Sequence, residues 1–162
     1  MKQTRTLLRL FILLLVTLFL PQCKRKQTES VERYTTWQVN GGGPGNIHYS
    51  ALKQIDRANV SQLQVAWKYD TGDAFPKSEM ECNPIIVRGV LYATTPKLRL
   101  IALNAATGKP IWSFSPPAEQ PLRKTHNRGV TYWSDGSDQR IFLVAGHNLY
   151  AVNAATGKLI PS

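Results

Sequence analysis

Three things are scarce in this chain, and each scarcity removes a class of function. Cysteine occurs twice in 162 residues, at Cys23 and Cys82, so no cysteine pair has metal-ligand spacing, although a Cys23–Cys82 disulfide stays open from sequence. The three histidines, His48, His126 and His147, stand apart from one another and read as structural rather than as ligands, so no metal site is expected in this chain. Long apolar runs are also missing: Leu10 to Leu20, interrupted by Thr17, would make a helix of about 16 Å against a hydrocarbon core of about 30 Å, too short to span comfortably. Acids are absent from the first 26 positions, which explains most of the net charge of +10. Lys2, Arg5, Arg9, Lys24, Arg25 and Lys26 supply six of the twenty positive charges, and the other fourteen face ten acids, a surplus of four. Those fourteen are scattered, with no basic stripe and no interleaved aromatics, which argues against nucleic acid as a partner.

What is present divides the chain in three. Residues 1–23 have a basic head, an apolar run and then Pro21-Gln22-Cys23, the layout of an export signal. Leu20-Pro21-Gln22-Cys23 also resembles a bacterial lipoprotein cleavage site, with Gln22 and Pro21 departing from the pattern. Lipidation of Cys23 and ordinary cleavage nearby therefore both stay open, and the expected location is the periplasm or cell envelope with or without a lipid anchor to the membrane. Residues 24–33 are polar and read as a tether. Residues 34–162 carry the folded part.

Within that part, Ile101 to Trp112 returns 49 residues later from Tyr150 to Pro161, with eight of twelve positions identical. Each copy reads as strand, turn, strand. Its apolar start suits a buried strand, its Asn and Thr can bond turn backbone, and its Gly supplies a positive φ at the reversal. A period of this size points to small sheets stacked as repeats. Trp112 has the area to cover the seam between two such sheets, where its indole N–H would need a partner. A phosphate loop is a poorer reading, because Gly108-Lys109 is followed by Pro110 and the preceding glycine position is Leu103.

Elsewhere Asn59 to Leu63 predicts a short helical turn, Gln64 to Tyr69 a strand, and Asp70 to Asp73 a turn. Pro84 to Val87 and Val90 to Thr94 predict two strands hinged at Arg88-Gly89. Ser115 to Asn127, with three prolines, predicts a long loop. Arg128 to Trp133 and Arg140 to Ala145 predict further strands about a turn at Asp135-Gly136. Helix is nearly absent, so the fold class is all-β: about two to three blades of a partial β-propeller, too few to close a ring. An open stack leaves an apolar face uncovered.

Taken in order, Trp37 with Gly41-Gly42, His48 to Leu52, Gln54-Ile55, Asn59-Val60, Leu63, Ala66 to Asp73, Glu81 to Pro84, Gly89 to Tyr92, the Ala-Ala-Thr-Gly-Lys unit with its Trp, and Arg128 to Trp133 resemble the opening of pyrroloquinoline-quinone (PQQ) dehydrogenases, the glucose dehydrogenase branch above all. That resemblance implies an eight-bladed propeller with the quinone near its axis above a calcium ion. It implies that Glu81, in its Glu-x-x-Pro setting, bonds the cofactor and that Arg128 lies against the quinone oxygens. It implies oxidation of an aldose or other alcohol, with electrons passed to a membrane quinone or another acceptor. The alcohol-oxidising branch has two adjacent cysteines just before the arginine; Arg123-Lys124 stand there instead, which favours a sugar-type or other substrate. Calcium ligands and a catalytic aspartate would come from later blades, so this stretch alone is expected to be inactive. The competing reading is a non-catalytic envelope lipoprotein propeller acting as a protein-binding scaffold, with a carbohydrate-binding surface as a third option.

Overall fold

In a computed structural model of the chain, residues 35–43, 45–117 and 126–161 are described. The export signal and its Cys23, the tether, and Arg123-Lys124 lie outside them. Among the described residues no helix is long and apolar enough to cross a membrane.

Among the described residues, seven strands form two antiparallel meanders. The first contains β1 (Ile85–Val87), β2 (Val90–Thr94), β3 (Leu100–Asn104) and β4 (Pro110–Phe114) in chain order. The second contains β5 (Thr131–Ser134), β6 (Gln139–Ala145) and β7 (Asn148–Asn153). A bridge from Val152 to Leu159 begins a fourth strand there, 49 residues after the Leu103–Pro110 pairing of β3 with β4. All-β architecture is thus observed. Two sheets are present among the described residues, the lower end of the expected range.

β3 shows how the sheets stack. Side chains alternate across a strand, and in β3 both faces are buried. Leu100 and Ala102 join Ile85, Val87 and Tyr92 against Ile141, Leu143, Ala145 and Val152 of the second sheet. Ile101 and Leu103 point the other way, into a smaller cluster with Ala93, Leu91, Cys82, Trp67 and Tyr69. Leu100, Ile141, Leu143 and Val152 are fully buried. On the far face of the second sheet Val144 and Leu149, paired in register, are exposed among the described residues.

The repeated turns are built alike. Asn104 Oδ1 accepts the N–H groups of Ala106 and Thr107 and the Thr107 hydroxyl, at 3.0–3.1 Å. Asn153 Oδ1 does the same for Ala155 and Thr156. Gly108 and Gly157 follow at φ of 69° and 71°.

A tryptophan sits on each turn. Trp112 of β4 lies over Gly157, where a Cβ would fall 2.7 Å from its ring, and its indole N–H donates to the Ala154 carbonyl at 3.1 Å. Trp67 lies over Gly108 in the same manner, 2.5 Å from a notional Cβ, and donates to the Ala105 carbonyl at 3.1 Å. The expected seam-covering role of Trp112 is therefore observed, and Trp67 repeats it at the front of the first sheet. Tyr92 adds its hydroxyl to the Ala154 carbonyl at 3.0 Å.

The segment Gln64 to Tyr69 departs from expectation. It is not paired into a strand, although Trp67 and Tyr69 are docked. The described residues before it, with a short 3-10 turn at Val60–Gln62, form no strand for it to pair with. The next stretch is pinned instead by Asp73, which accepts from the Thr95 hydroxyl and faces Arg99, while Arg99 donates to the Thr71 carbonyl.

Candidate functional site

Two segments run side by side just before the first strand of each sheet. Asn83 and Gly129 form a parallel bridge, and the Arg128 carbonyl accepts from Asn83 twice, from the backbone N–H at 3.0 Å and from Nδ2 at 3.1 Å. Gly129 is needed there: its φ is 146°, and a Cβ would lie 3.0 Å from the Asn83 carbonyl oxygen. This is why β5 starts at Thr131 rather than at Arg128.

The bridge sets Glu81 opposite Arg128. Arg128 Nη2 lies 3.3 Å from Glu81 Oε2, and His126 Nδ1 lies 3.5 Å from Glu81 Oε1. Arg128 is 83% exposed and Glu81 29%. A pair this open contributes about 0–1 kcal/mol, so it does not by itself fix the arginine. Although Arg128 touches it, Glu81 Oε2 is shielded from solvent and makes no hydrogen bond among the described residues. A shielded carboxylate oxygen in that state has acceptor capacity to spare.

His126, read from sequence as isolated, is a neighbour of both acids. Glu79, Glu81 and His126 each bring one ligand atom within 4.8 Å of the others. Two carboxylates and an imidazole can bind a divalent cation, but the Arg128 guanidinium in the same group opposes a second cation there. His48 and His147 are exposed.

Cys82 is a free thiol. Its Sγ accepts the Thr94 N–H at 3.2 Å and packs in the smaller apolar cluster, the setting of an inert cysteine.

On the other flank of Arg128, Asn127 Oδ1 accepts the Gly129 N–H at 2.8 Å and the Thr94 hydroxyl at 3.2 Å, while its Nδ2 donates to the Val144 carbonyl at 2.9 Å. The structure thus brings together the two residues singled out from sequence, and adds Glu79, Asn83, His126 and Asn127. Period-two geometry could have found two of these: Glu79 shares a face with Glu81, and His126 with Arg128.

The family model described as "PQQ: Glucose/ethanol/alcohol dehydrogenase, beta-propeller domain" matches residues 37–162. The chain is 38% identical to the dehydrogenase subunit of the quinone alcohol dehydrogenase of Gluconobacter oxydans, across 75% of this chain and 17% of that protein. It is 32% identical to quinohemoprotein alcohol dehydrogenase ADH IIB of Pseudomonas putida, across 76% and 18%. Among solved structures, the quinohemoprotein alcohol dehydrogenase of Comamonas testosteroni superposes with a TM-score of 0.66 at 29% identity, over 79% of this chain and 19% of that one. A europium-containing methanol dehydrogenase gives 0.62 at 26%, over 77% and 22%. The chain spans about a fifth of the length of these relatives.

Proposed function

The chain belongs to the PQQ-dependent glucose/ethanol/alcohol dehydrogenase propeller family, and we propose from that premise that it supplies cofactor-facing early sheets of a dehydrogenase for an alcohol or aldose. The observation that carries the reading is the pairing of a shielded, under-bonded Glu81 oxygen with an open Arg128 guanidinium at the seam of two propeller sheets.

The residues present fit such a cofactor. Glu81 Oε2 can take a hydrogen bond that no described residue provides, and Arg128 can offer several N–H donors in a fixed fork. Bound quinone would supply an electrophilic carbonyl carbon that accepts hydride from the substrate's carbinol carbon. Arg128 would stabilise negative charge developing on oxygen, an effect that grows where water is excluded. Glu81 would orient the cofactor by accepting from it. Calcium would be held by residues from other blades; those described here give no set free of Arg128.

These two sheets alone are expected to be inactive. The relatives' names point to alcohols, and that of the 1-butanol dehydrogenase of Thauera butanivorans includes cytochrome c. An aldose remains the narrower proposal, resting on Arg123-Lys124 in place of paired cysteines. Export to the periplasm, with Cys23 as a lipid anchor, rests on the layout of residues 1–23, and a membrane quinone or cytochrome would then be the electron acceptor.

The test uses the full-length protein carrying these residues. It is titrated with PQQ and calcium, following tryptophan quenching, and then assayed by dye reduction with ethanol and glucose. Saturable binding that weakens at least about tenfold in Arg128→Ala and Glu81→Gln is expected, in line with the loss of a charge-assisted hydrogen bond. Absent binding, or an affinity unchanged from the parent protein in both variants, would overturn the reading and favour a scaffold.

A further inference from the structure

Arg128 is mostly exposed, yet the segment carrying it is gripped on both sides. Asn83 holds the Arg128 carbonyl with two donors from the first sheet's approach. Asn127 reaches the other way and ties three places together: the Gly129 N–H beyond Arg128, the Thr94 hydroxyl at the end of β2, and the Val144 carbonyl in β6. Thr94 is 2% exposed, so its hydroxyl needs a partner inside the protein. Of the common side chains, a short amide suits this junction, because it offers an acceptor oxygen with two lone pairs together with N–H donors.

We infer that Asn127 is the positioning residue for Arg128: by bonding both sheets at once it fixes where the guanidinium emerges at their seam, before any cofactor is present. The inference rests on the cofactor role proposed for Arg128, although its structural half is testable without it. The Arg128–Glu81 pair then follows from the placement rather than causing it.

Amide hydrogen exchange of the full-length protein, free of cofactor, separates the possibilities. Asn127→Ala should lower protection of the Gly129 amide by about fivefold or more, the worth of one hydrogen bond, while the buried Leu143 amide stays unchanged. Glu81→Gln should leave Gly129 protection as it was. Asn127→Asp keeps the accepting oxygen and loses only the Val144 donor bond. It should preserve Gly129 protection within about threefold, and it serves as the readable variant if alanine unfolds the chain.

In the full-length protein, Asn127→Ala should weaken PQQ binding about as much as Arg128→Ala, and the double variant should add little. In a folded Asn127→Ala protein, unchanged Gly129 protection or an equal loss at Leu143 would overturn the inference, and so would a loss of Gly129 protection beyond about threefold in the aspartate variant. Should the exchange results hold while Arg128→Ala binds PQQ normally, the cofactor role of Arg128 falls and the positioning of the segment stands.

Discussion

Gly108→Ala puts a methyl group under Trp67, and the structure gives the size of the effect. Gly108 has φ of 69°, so alanine pays the left-handed cost of about 1–2 kcal/mol before any contact is considered. Its Cβ would also lie 2.5 and 2.6 Å from two ring atoms of Trp67. Reaching ordinary contact moves the ring by about 1 Å and breaks the 3.1 Å bond from Trp67 Nε1 to the Ala105 carbonyl, an overpacking cost of about 1–3 kcal/mol. The expected total is about 2–5 kcal/mol. Gly89 is the control: its φ is 79° and a Cβ there meets nothing within 4 Å, so Gly89→Ala should cost only about 1–2 kcal/mol. Urea denaturation followed by circular dichroism measures both. In a Trp67→Ala background, Gly108→Ala should fall to the Gly89 value. Equal losses for the two glycine variants in the parent chain, or a Gly108 loss unaffected by removing Trp67, would refute the stacking argument.

Three further outcomes are expected. Burial, with Tyr132 nearby, pushes the Tyr92 hydroxyl up to about 12. Its stabilisation is present below pH 10 and is lost as the pH rises from about 10 to 12, about 2–3 kcal/mol in all. Tyr92→Phe should remove that slope from denaturation curves taken at pH 9 and 11.5. Asn153→Ala deletes three hydrogen bonds at 3.0–3.1 Å in an exposed turn and should cost about 1–2 kcal/mol, read as a lower urea midpoint with an unchanged slope. Leu143→Ala opens a cavity at a fully buried position between the sheets and should cost about 2–5 kcal/mol, whereas Val144→Ala beside it, exposed, should change stability by less than about 1 kcal/mol.

The turns were legible because their information is local. Asn, Thr and Gly within five residues specify the bonds and the positive φ, and both copies fold as read. Trp112 was legible because a large aromatic at a strand of a stacked repeat has few other places to go. Gln64 to Tyr69 was misread as a strand because alternation reports where side chains point, not whether a neighbouring strand exists to bond the backbone. The site was half legible. Glu81 and Arg128 stood out by their settings, but the bonds that place them join positions as far as 45 residues apart, such as Asn83 Nδ2 with the Arg128 carbonyl. His126 looked solitary for the same reason: Glu81 reaches it only through the fold.

Trp67 and Trp112 each lid the next Asn-Ala-Ala-Thr-Gly turn along the chain, and Trp112 does not cover the turn that precedes it in its own unit. Units and sheets are therefore out of step, like roof tiles whose nails pass through the next course. Damage at Trp112 should be felt first around Gly157, in the second sheet, and damage at Trp67 around Gly108. Excising or duplicating a unit at the sheet boundaries would strip one turn of its tile, so any grafting of these repeats has to cut one strand earlier, ahead of the tryptophan.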